Sequence, residues 1–437
     1  MKYYSTRDRS NLADLKLAVT KSLTSDGGLY LPEHIDKLSP EFFKKLPELS
    51  LAEIGFEVSK LILDEIPEAD LKRICDDALS FETPLVEITP DTYSLELFHG
   101  PTMAFKDVGA RFMARLLSYL LEDKEQEVHV LVATSGDTGS AVASGFYNVP
   151  GIRVTILYPS GGVSAFQEKQ LTTLGGNINA LEIDGVFDDC QRLVKEAFAD
   201  ADLKKERRLT SANSINFARL LPQSFYYFYA VGQLMKNDKP IVISVPSGNY
   251  GNLTAGVVAW KMGLPIHHFV AASNANNVVP RYLETGKYEP GRSIATISNA
   301  MDVGSPNNVE RLQDLFGHSL EELKKMVKGT WFDDDATFAS MQKVWNNHEY
   351  MLDPHGAVAY SGLEWYKKTV NEDVQGIFLE CAHPAKFDET VFKATGIQPT
   401  IPDHQKHVLT KPKRAMMMSK NFDEFKDWLL HDDGCSC

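Results

Sequence analysis

The chain has 437 residues, 43% of them hydrophobic, so it can bury a large core and by length suggests two or three domains. Its 45 Lys and Arg stand against 59 Asp and Glu, and the net charge of -14 argues against general affinity for nucleic acid or an anionic membrane. The N-terminus lacks the apolar core of a signal peptide, and no run of about 18 uncharged apolar residues occurs, so a cytoplasmic protein is expected.

Residues 1–80 begin with a short predicted strand over Lys2–Thr6 and a turn at Ser25–Gly28, then become helical. Leu51–Glu65 puts Ile54, Val58, Leu61 and Ile62 on one face, and Pro67 is expected to end that helix. This reads as a mainly helical appendage. Tyr93–Phe98 has the content of a buried strand, broken by Gly100 and Pro101. From Ala104 apolar residues return at helical spacing through Val108, Phe112, Leu116 and Leu120. Lys106 falls in the first turn of that helix, off the apolar stripe. A cation at a helix N-terminus carries the unfavourable charge, which favours the neutral, nucleophilic amine. A lone lysine is nevertheless mostly a surface residue, so other features must single it out.

From Glu127 strands and helices alternate: Glu127–Ala133, Thr138–Asn148, Ile152–Pro159, a helix from Ser164, Ile178–Asp184, then Val186–Ala199. A long helix over Phe217–Met235 follows, and the alternation resumes with Ile241–Val245, Leu253–Met262 and His268–Ala272. This is the pattern of a parallel sheet with covering helices. Residues 275–306, rich in Asn, Gly and Pro, read as one long irregular segment, expected to be a mobile wall of a cleft. Helices near Asn308–Leu315, Leu320–Val327, Ala336–Trp345 and Ala357–Lys367 lead to a late strand, Gly376–Cys381. The fold class is therefore α/β, with two open, mostly parallel domains behind the appendage. The division is expected at 1–80, 81–235 and 236–437, with the true domains discontinuous.

In open α/β sheets ligands sit at the carboxyl ends of strands, so the loops after strands carry the chemistry. Thr134-Ser135-Gly136-Asp137-Thr138-Gly139 offers hydroxyls and amides at a helix start, suited to an anion, although a capped tight turn would look the same. Pro246-Ser247-Gly248-Asn249-Tyr250-Gly251-Asn252 reads as a phosphate cradle, yet it is neither a Walker loop nor a dinucleotide fingerprint. Cys381-Ala382-His383-Pro384-Ala385-Lys386-Phe387 follows the late strand, and its histidine is more often a cap than a catalyst. A lysine at a helix start, a phosphate cradle and an anion loop are together the parts that pyridoxal phosphate needs. The five cysteines are scattered except for Cys435 and Cys437, which fits reduced thiols; that pair has no accompanying cluster, and no metal site is expected.

HGPTMAFKD, SGDTGSA, VPSGNYGN and AHPAKF, with SDGGLYLPE, NSINFARLLPQ and MDVGSPNN, resemble the threonine synthase family over nearly the whole chain. SGDTG or the lysine motif alone would indicate only the wider fold type II pyridoxal-phosphate group. The resemblance implies conversion of O-phospho-L-homoserine and water to L-threonine and phosphate by a monomer, with Lys106 as the Schiff-base lysine. It also implies that Ser247, Gly248, Asn249, Tyr250, Gly251 and Asn252 hold the cofactor phosphate. Ser135, Gly136, Asp137 and Thr138 would meet the substrate's amino-acid end and the cofactor's phenolic oxygen. Asn213, Ser214 and Arg219 are candidates for the substrate phosphate, because a fixed guanidinium suits a dianion; His99, Thr102 and Lys169 are further candidates. Cys381 departs from the family's Thr or Ser at the pyridine-nitrogen position, and a thiol is a weaker partner there. Two other readings are a dehydratase or phospho-lyase on a related amino acid, and a ligand-binding descendant without turnover.

Overall fold

The computed structural model describes residues 1–121, 127–237 and 239–431, so the pair Cys435 and Cys437 lies outside the described residues. Three short antiparallel strands, β1 (Tyr3–Ser5), β2 (Leu12–Ala13) and β3 (Tyr30–Pro32), make a small sheet in the order β2-β1-β3. The N-terminal region is thus a sheet plus helices rather than one strand and helices. The helix from Leu51 stops at Lys60, because Ile62 N and Leu63 N both turn back to Ser59 O. Pro67 then caps the start of the next helix, Glu68–Ala78, instead of ending the previous one.

The remaining strands are β4 (Leu85–Thr89), β5 (Thr92–Glu96), β6 (Val128–Ala133), β7 (Ile152–Pro159), β8 (Ile178–Ile183), β9 (Arg208–Ser211), β10 (Ile241–Pro246), β11 (His268–Ser273), β12 (Val327–Trp331), β13 (Gln375–Glu380) and β14 (Met416–Met418). They build a six-stranded sheet, β12-β11-β10-β13-β5-β4, parallel except for the β4–β5 hairpin, and a five-stranded parallel sheet, β14-β8-β7-β6-β9. The linear division at 81–235 and 236–437 is interleaved in space: β4 and β5 join the larger sheet, and β14 joins the smaller.

Besides β2 and β3, four strands, β4, β9, β12 and β14, were not expected from sequence. β4 is only partly buried along its length, and β14 is three residues long, so neither carries a strong alternating pattern. Val327, read as a helix end, begins β12. The expected helix over Phe217–Met235 is three pieces, Phe217–Leu220, a 3-10 turn Leu221–Ser224 and Phe225–Leu234, because Pro222 has no N–H for the ladder. The segment 275–306 contains a helix, Val278–Thr285, and a short 3-10 turn, Asn299–Met301, within otherwise irregular chain. The helix Lys106–Leu120 buries the expected stripe, Val108, Phe112 and Leu116, with Phe112 edge-on to Phe225 at 5.6 Å.

Candidate functional site

Lys106 is placed by two strand ends lying side by side. β5 and β13 pair in parallel, and the chain beyond them stays paired: Leu97 N donates to Glu380 O (3.0 Å), Phe105 N to Cys381 O (2.9 Å) and His383 N to Met103 O (3.1 Å). Ala104 and Ala382 form an antiparallel bridge. Lys106 therefore starts its helix beside Cys381, and both line a cavity of about 340 Å³. Ser135, Asp137 and Thr138 line it after β6, and Gly248, Asn249, Tyr250, Gly251 and Asn252 after β10. Asn213, Ser214 and Arg219 line it from the segment that follows β9.

Five expected residues do not line it. Ser247 is buried, with Oγ donating to Val245 O (2.9 Å). Gly136 sits at φ 132°, where a Cβ would lie 2.5 Å from Gln167 Cδ, so it shapes the loop from behind. His99 pairs through Nε2 with Glu96 Oε2 (2.7 Å) at the surface, and Lys169 Nζ donates to Lys411 O (2.8 Å). Thr102 is buried, donating through Oγ1 and N to the two oxygens of Asp107 (2.7 and 2.8 Å).

The cradle loop is held open by its neighbours. Tyr250 adopts the left-handed region at φ 60°, and its OH meets Ser273 Oγ at 2.6 Å. Asn249 Nδ2 donates to Ser214 Oγ (2.7 Å), while Asn307 N donates to Asn249 Oδ1 (2.7 Å). In the helix Gly251–Lys261, Thr254 N donates to Tyr250 O (3.0 Å), which leaves the amides of Gly251 to Leu253 at the open end of the helix dipole.

Burial pushes the Lys106 amine below its ordinary value; Asp137 opposes this, and the cations Lys386 and Arg219 reinforce it. Burial acts against the Asp137 carboxylate, but Lys386 and Lys106 outweigh it and hold the group well below the usual range. Burial lowers Arg219 to about 10, which leaves it protonated at neutrality, and pushes the Cys381 thiol far up, which leaves it neutral. Four buried polar atoms on cavity residues find no protein partner: Arg219 Nε, Asn213 Oδ1, Asn252 Nδ2 and Asn299 Oδ1. Asn252 is fixed with its amide nitrogen free because Tyr227 OH donates to Oδ1 (2.6 Å). Such atoms cost about 1–3 kcal/mol each unless a polar ligand satisfies them, and with two donors and two acceptors among them the wall fits a polar ligand that both accepts and donates.

Sequence reasoning missed several participants. Asn299, Ala300, Met301 and Asp302 line the cavity from the segment expected as a wall of a cleft, although none of Asn299, Ala300 and Asp302 was singled out, and Ala300 N donates to His355 Nε2 (3.2 Å). His355 was visible only as a helix entry; Asp353, the cap of that helix, holds its Nδ1. His383 caps the 3-10 turn Pro384–Phe387, with Nδ1 accepting from Ala385 N (3.1 Å). Among the described residues one cluster could hold a metal, His267, His268 and Glu372. It lies at the amino end of β11, away from the cavity; His267 Nε2 meets Glu372 Oε2 (3.0 Å), and Tyr366 OH links His268 Nδ1 (2.6 Å) to Glu372 Oε2 (3.1 Å).

A family model described as "Pyridoxal-phosphate dependent enzyme" matches residues 81–378. The models "Threonine synthase N terminus" and "Threonine synthase, C-terminal" match residues 2–79 and 356–428. The threonine synthase of Haemophilus influenzae is 43% identical over 98% of this chain and 100% of its own. The chain belongs to the threonine synthase family. It is a pyridoxal-phosphate-dependent enzyme with the fold of that family. The crystal structure of threonine synthase from Escherichia coli superposes with a TM-score of 0.92 at 41% identity, covering 99% of this chain and 100% of that one. A pyridoxal-phosphate-bound threonine synthase from Brucella melitensis gives 0.92 at 33% identity, covering 99% of each. Maize serine racemase, at 17% identity and a TM-score of 0.55, covers 72% of this chain and 92% of its own; it shares the fold alone with this threonine synthase relative.

Proposed function

We propose that the cavity converts O-phospho-L-homoserine and water to L-threonine and phosphate, with Lys106 carrying pyridoxal phosphate. The observation that carries this reading is the convergence on the cavity around Lys106 of a buried guanidinium, Arg219, which makes no salt bridge among the described residues, and a separate phosphate cradle at the start of the Gly251–Lys261 helix.

When bound, pyridoxal phosphate supplies an electron sink for the substrate's amino-acid carbons. Gly248, Asn249, Tyr250, Gly251 and Asn252 hold its phosphate through the amides at the helix start and the free Asn252 Nδ2. Ser135, Thr138 and Asp137 orient the amino-acid end and the phenolic oxygen, and Gly136 and Ser247 keep those two loops in shape. Cys381, a neutral thiol, would be the residue offered to the ring nitrogen, and it would be a weak hydrogen-bond partner there. Arg219 binds the substrate phosphate, flanked by Asn213 and Ser214, and so aligns the leaving group with the carbon chain. With the substrate bound, the Lys106 amine would take the proton from Cα and then one from Cβ; the Cγ–O bond breaks and phosphate leaves with its electron pair; the amine then returns a proton to Cγ. Water adds at Cβ, its hydroxyl bonding to that carbon, and Cα regains its proton. His99, Thr102 and Lys169 lie outside the cavity and have no part in substrate contact in this reading.

The reading includes a cytoplasmic monomer; sedimentation of the purified protein is the check on its state. The function is tested by incubating the purified protein with pyridoxal phosphate and O-phospho-L-homoserine. Phosphate with equimolar threonine is the expected result. Phosphate with 2-oxobutyrate would favour the dehydratase or phospho-lyase reading, and no product despite cofactor capture would favour a non-catalytic descendant.

A further inference from the structure

Two lysines flank the Asp137 carboxylate, and it belongs to one of them. Lys386 is fully buried, and its Nζ donates to Asp137 Oδ1 (2.8 Å) and Thr102 O (2.8 Å). Gln167 Nε2 also donates to Asp137 Oδ1 (2.9 Å), and Gln170 Nε2 to Thr102 O (3.1 Å). Lys386, from the turn after β13, thereby ties the SGDTG loop to the loop that delivers Lys106. Among the described residues Lys106 Nζ has no hydrogen bond or ion pair; it sits 5.6 Å from the Phe105 ring centroid.

The groups facing Lys106 come from four elements: Asp137 from the helix after β6, Lys386 from the Pro384–Phe387 turn, Arg219 from the Phe217–Leu220 helix and Cys381 from the end of β13. His355 faces Asp137 as well. Cys381 is a neutral thiol, so Asp137 is the one anion within reach of the Lys106 amine. A buried ammonium with no counter-ion is costly, and the group sheds its proton instead.

We propose that Lys386 is a positioning residue for Lys106: by holding Asp137 in a direct ion pair (2.8 Å) it denies the Lys106 amine a direct anionic contact, leaves only attraction at a distance, and so eases loss of the Lys106 proton. A neutral amine can capture the cofactor's aldehyde; its nitrogen forms the new bond to carbon, and the carbonyl oxygen departs as water with the two amine protons. An ammonium must first lose a proton. This rests on Lys106 being the cofactor-bearing lysine.

The test uses the full-length enzyme freed of cofactor, with pyridoxal phosphate as the probe and the pH midpoint of the capture rate, followed by visible absorbance, as the readout. In Lys386→Met the freed Asp137 pairs with Lys106, and the midpoint rises by about one pH unit, a roughly tenfold slower capture below the midpoint. In Asp137→Asn/Lys386→Met both charges are gone and the midpoint returns to that of the unmodified enzyme; removing both partners of a buried pair is also the change the fold tolerates best. Lys386→Arg keeps the original midpoint. Asp137→Asn alone leaves Lys386 uncompensated and lowers the midpoint, and this arm decides the matter should Lys386→Met fail to fold. An unmoved midpoint in Lys386→Met, or in Asp137→Asn, overturns the proposal, as does a shift that persists in the double variant. Failure of the underlying reading looks different: the unmodified protein does not capture the aldehyde, or Lys106→Ala captures it equally well.

Discussion

Arg219 shows how far one side chain's surroundings define its task. It is 3% exposed, its Nη1 donates to Ala212 O (2.7 Å), and its Nε is left over. A buried guanidinium with a spare donor and, among the described residues, no salt bridge is suited to a ligand with the geometry of a phosphate, although Asp107 attracts it from a distance. Hydrogen bonds to charged groups contribute about 1.5–3 kcal/mol, so Arg219→Gln should lower kcat/KM for O-phospho-L-homoserine by about 10- to 150-fold. Steady-state kinetics checks this, alongside the rate of pyridoxal phosphate capture, which should hold. An equal loss in both would mean that Arg219 supports the cofactor side of the cavity and not the substrate phosphate. Lys386, in contrast, is a charge that touches no ligand in this arrangement and acts through Asp137 alone.

At the scale of elements, loops after strands are positioned by what they pack against. A Cβ added to Gly248 would lie 2.6 Å from Met301 Cα, backbone against side chain, so the cradle and the Asn299–Met301 turn can approach only with glycine there. Gly248→Ala should push the two apart, costing about 1–3 kcal/mol of stability and the tight retention of cofactor; thermal unfolding and dialysis against cofactor-free buffer measure both. His383 gives a pH dependence. Burial, then His99, lowers it from 6.5 to about 4. The unfolded chain therefore binds the proton more readily, and the stability tied to the neutral imidazole is full above about 6.5 and lost as pH falls towards about 4. His383→Asn keeps an acceptor for Ala385 N and should remove that pH-dependent share, whereas His383→Ala should also forfeit about 1 kcal/mol of capping; urea midpoints across this range distinguish the two. The loops themselves were legible in the sequence, because Gly, Ser and Asn after an apolar run have few other uses. The segment forming the opposite wall was legible as such, but the residues it contributes were not. Asn299 to Asp302 and His355 enter the cavity through contacts between residues about 55 positions apart, such as Ala300 N to His355 Nε2, and no local pattern encodes such a meeting. Cys381 could be read to its place because β13 is a plain buried strand, whereas β9 and β12 are short and their pairing is set by neighbours far along the chain.

For the whole molecule, the sheets contradict any simple cut of the chain into consecutive units. The smaller sheet, which carries the SGDTG loop on β6, is finished by the last described residues: β14 pairs with β8 (Met416↔Leu181, Met418↔Ile183), and the helix Phe422–His431 covers its face. Phe425 and Leu429 are fully buried among Leu131, Leu157, Ile183 and Leu193. Arg207 Nε and Nη2 donate to Leu429 O (3.0 Å) and Leu430 O (2.8 Å), and Lys426 Nζ reaches Asp200 Oδ2 (2.8 Å). Burial of a side chain such as Phe or Leu contributes about 1.5–3 kcal/mol, so these two alone supply about 3–6 kcal/mol, against about 5–15 kcal/mol for a typical domain. Truncation after Arg414 should therefore loosen β6 to β9, some two hundred residues upstream, and abolish cofactor capture although Lys106 and the cradle are untouched. Limited proteolysis should then cut first within residues 127–211. Cleavage confined to residues beyond 236, with capture retained, would restore the consecutive division and mean that the C-terminal segment serves only its own neighbourhood.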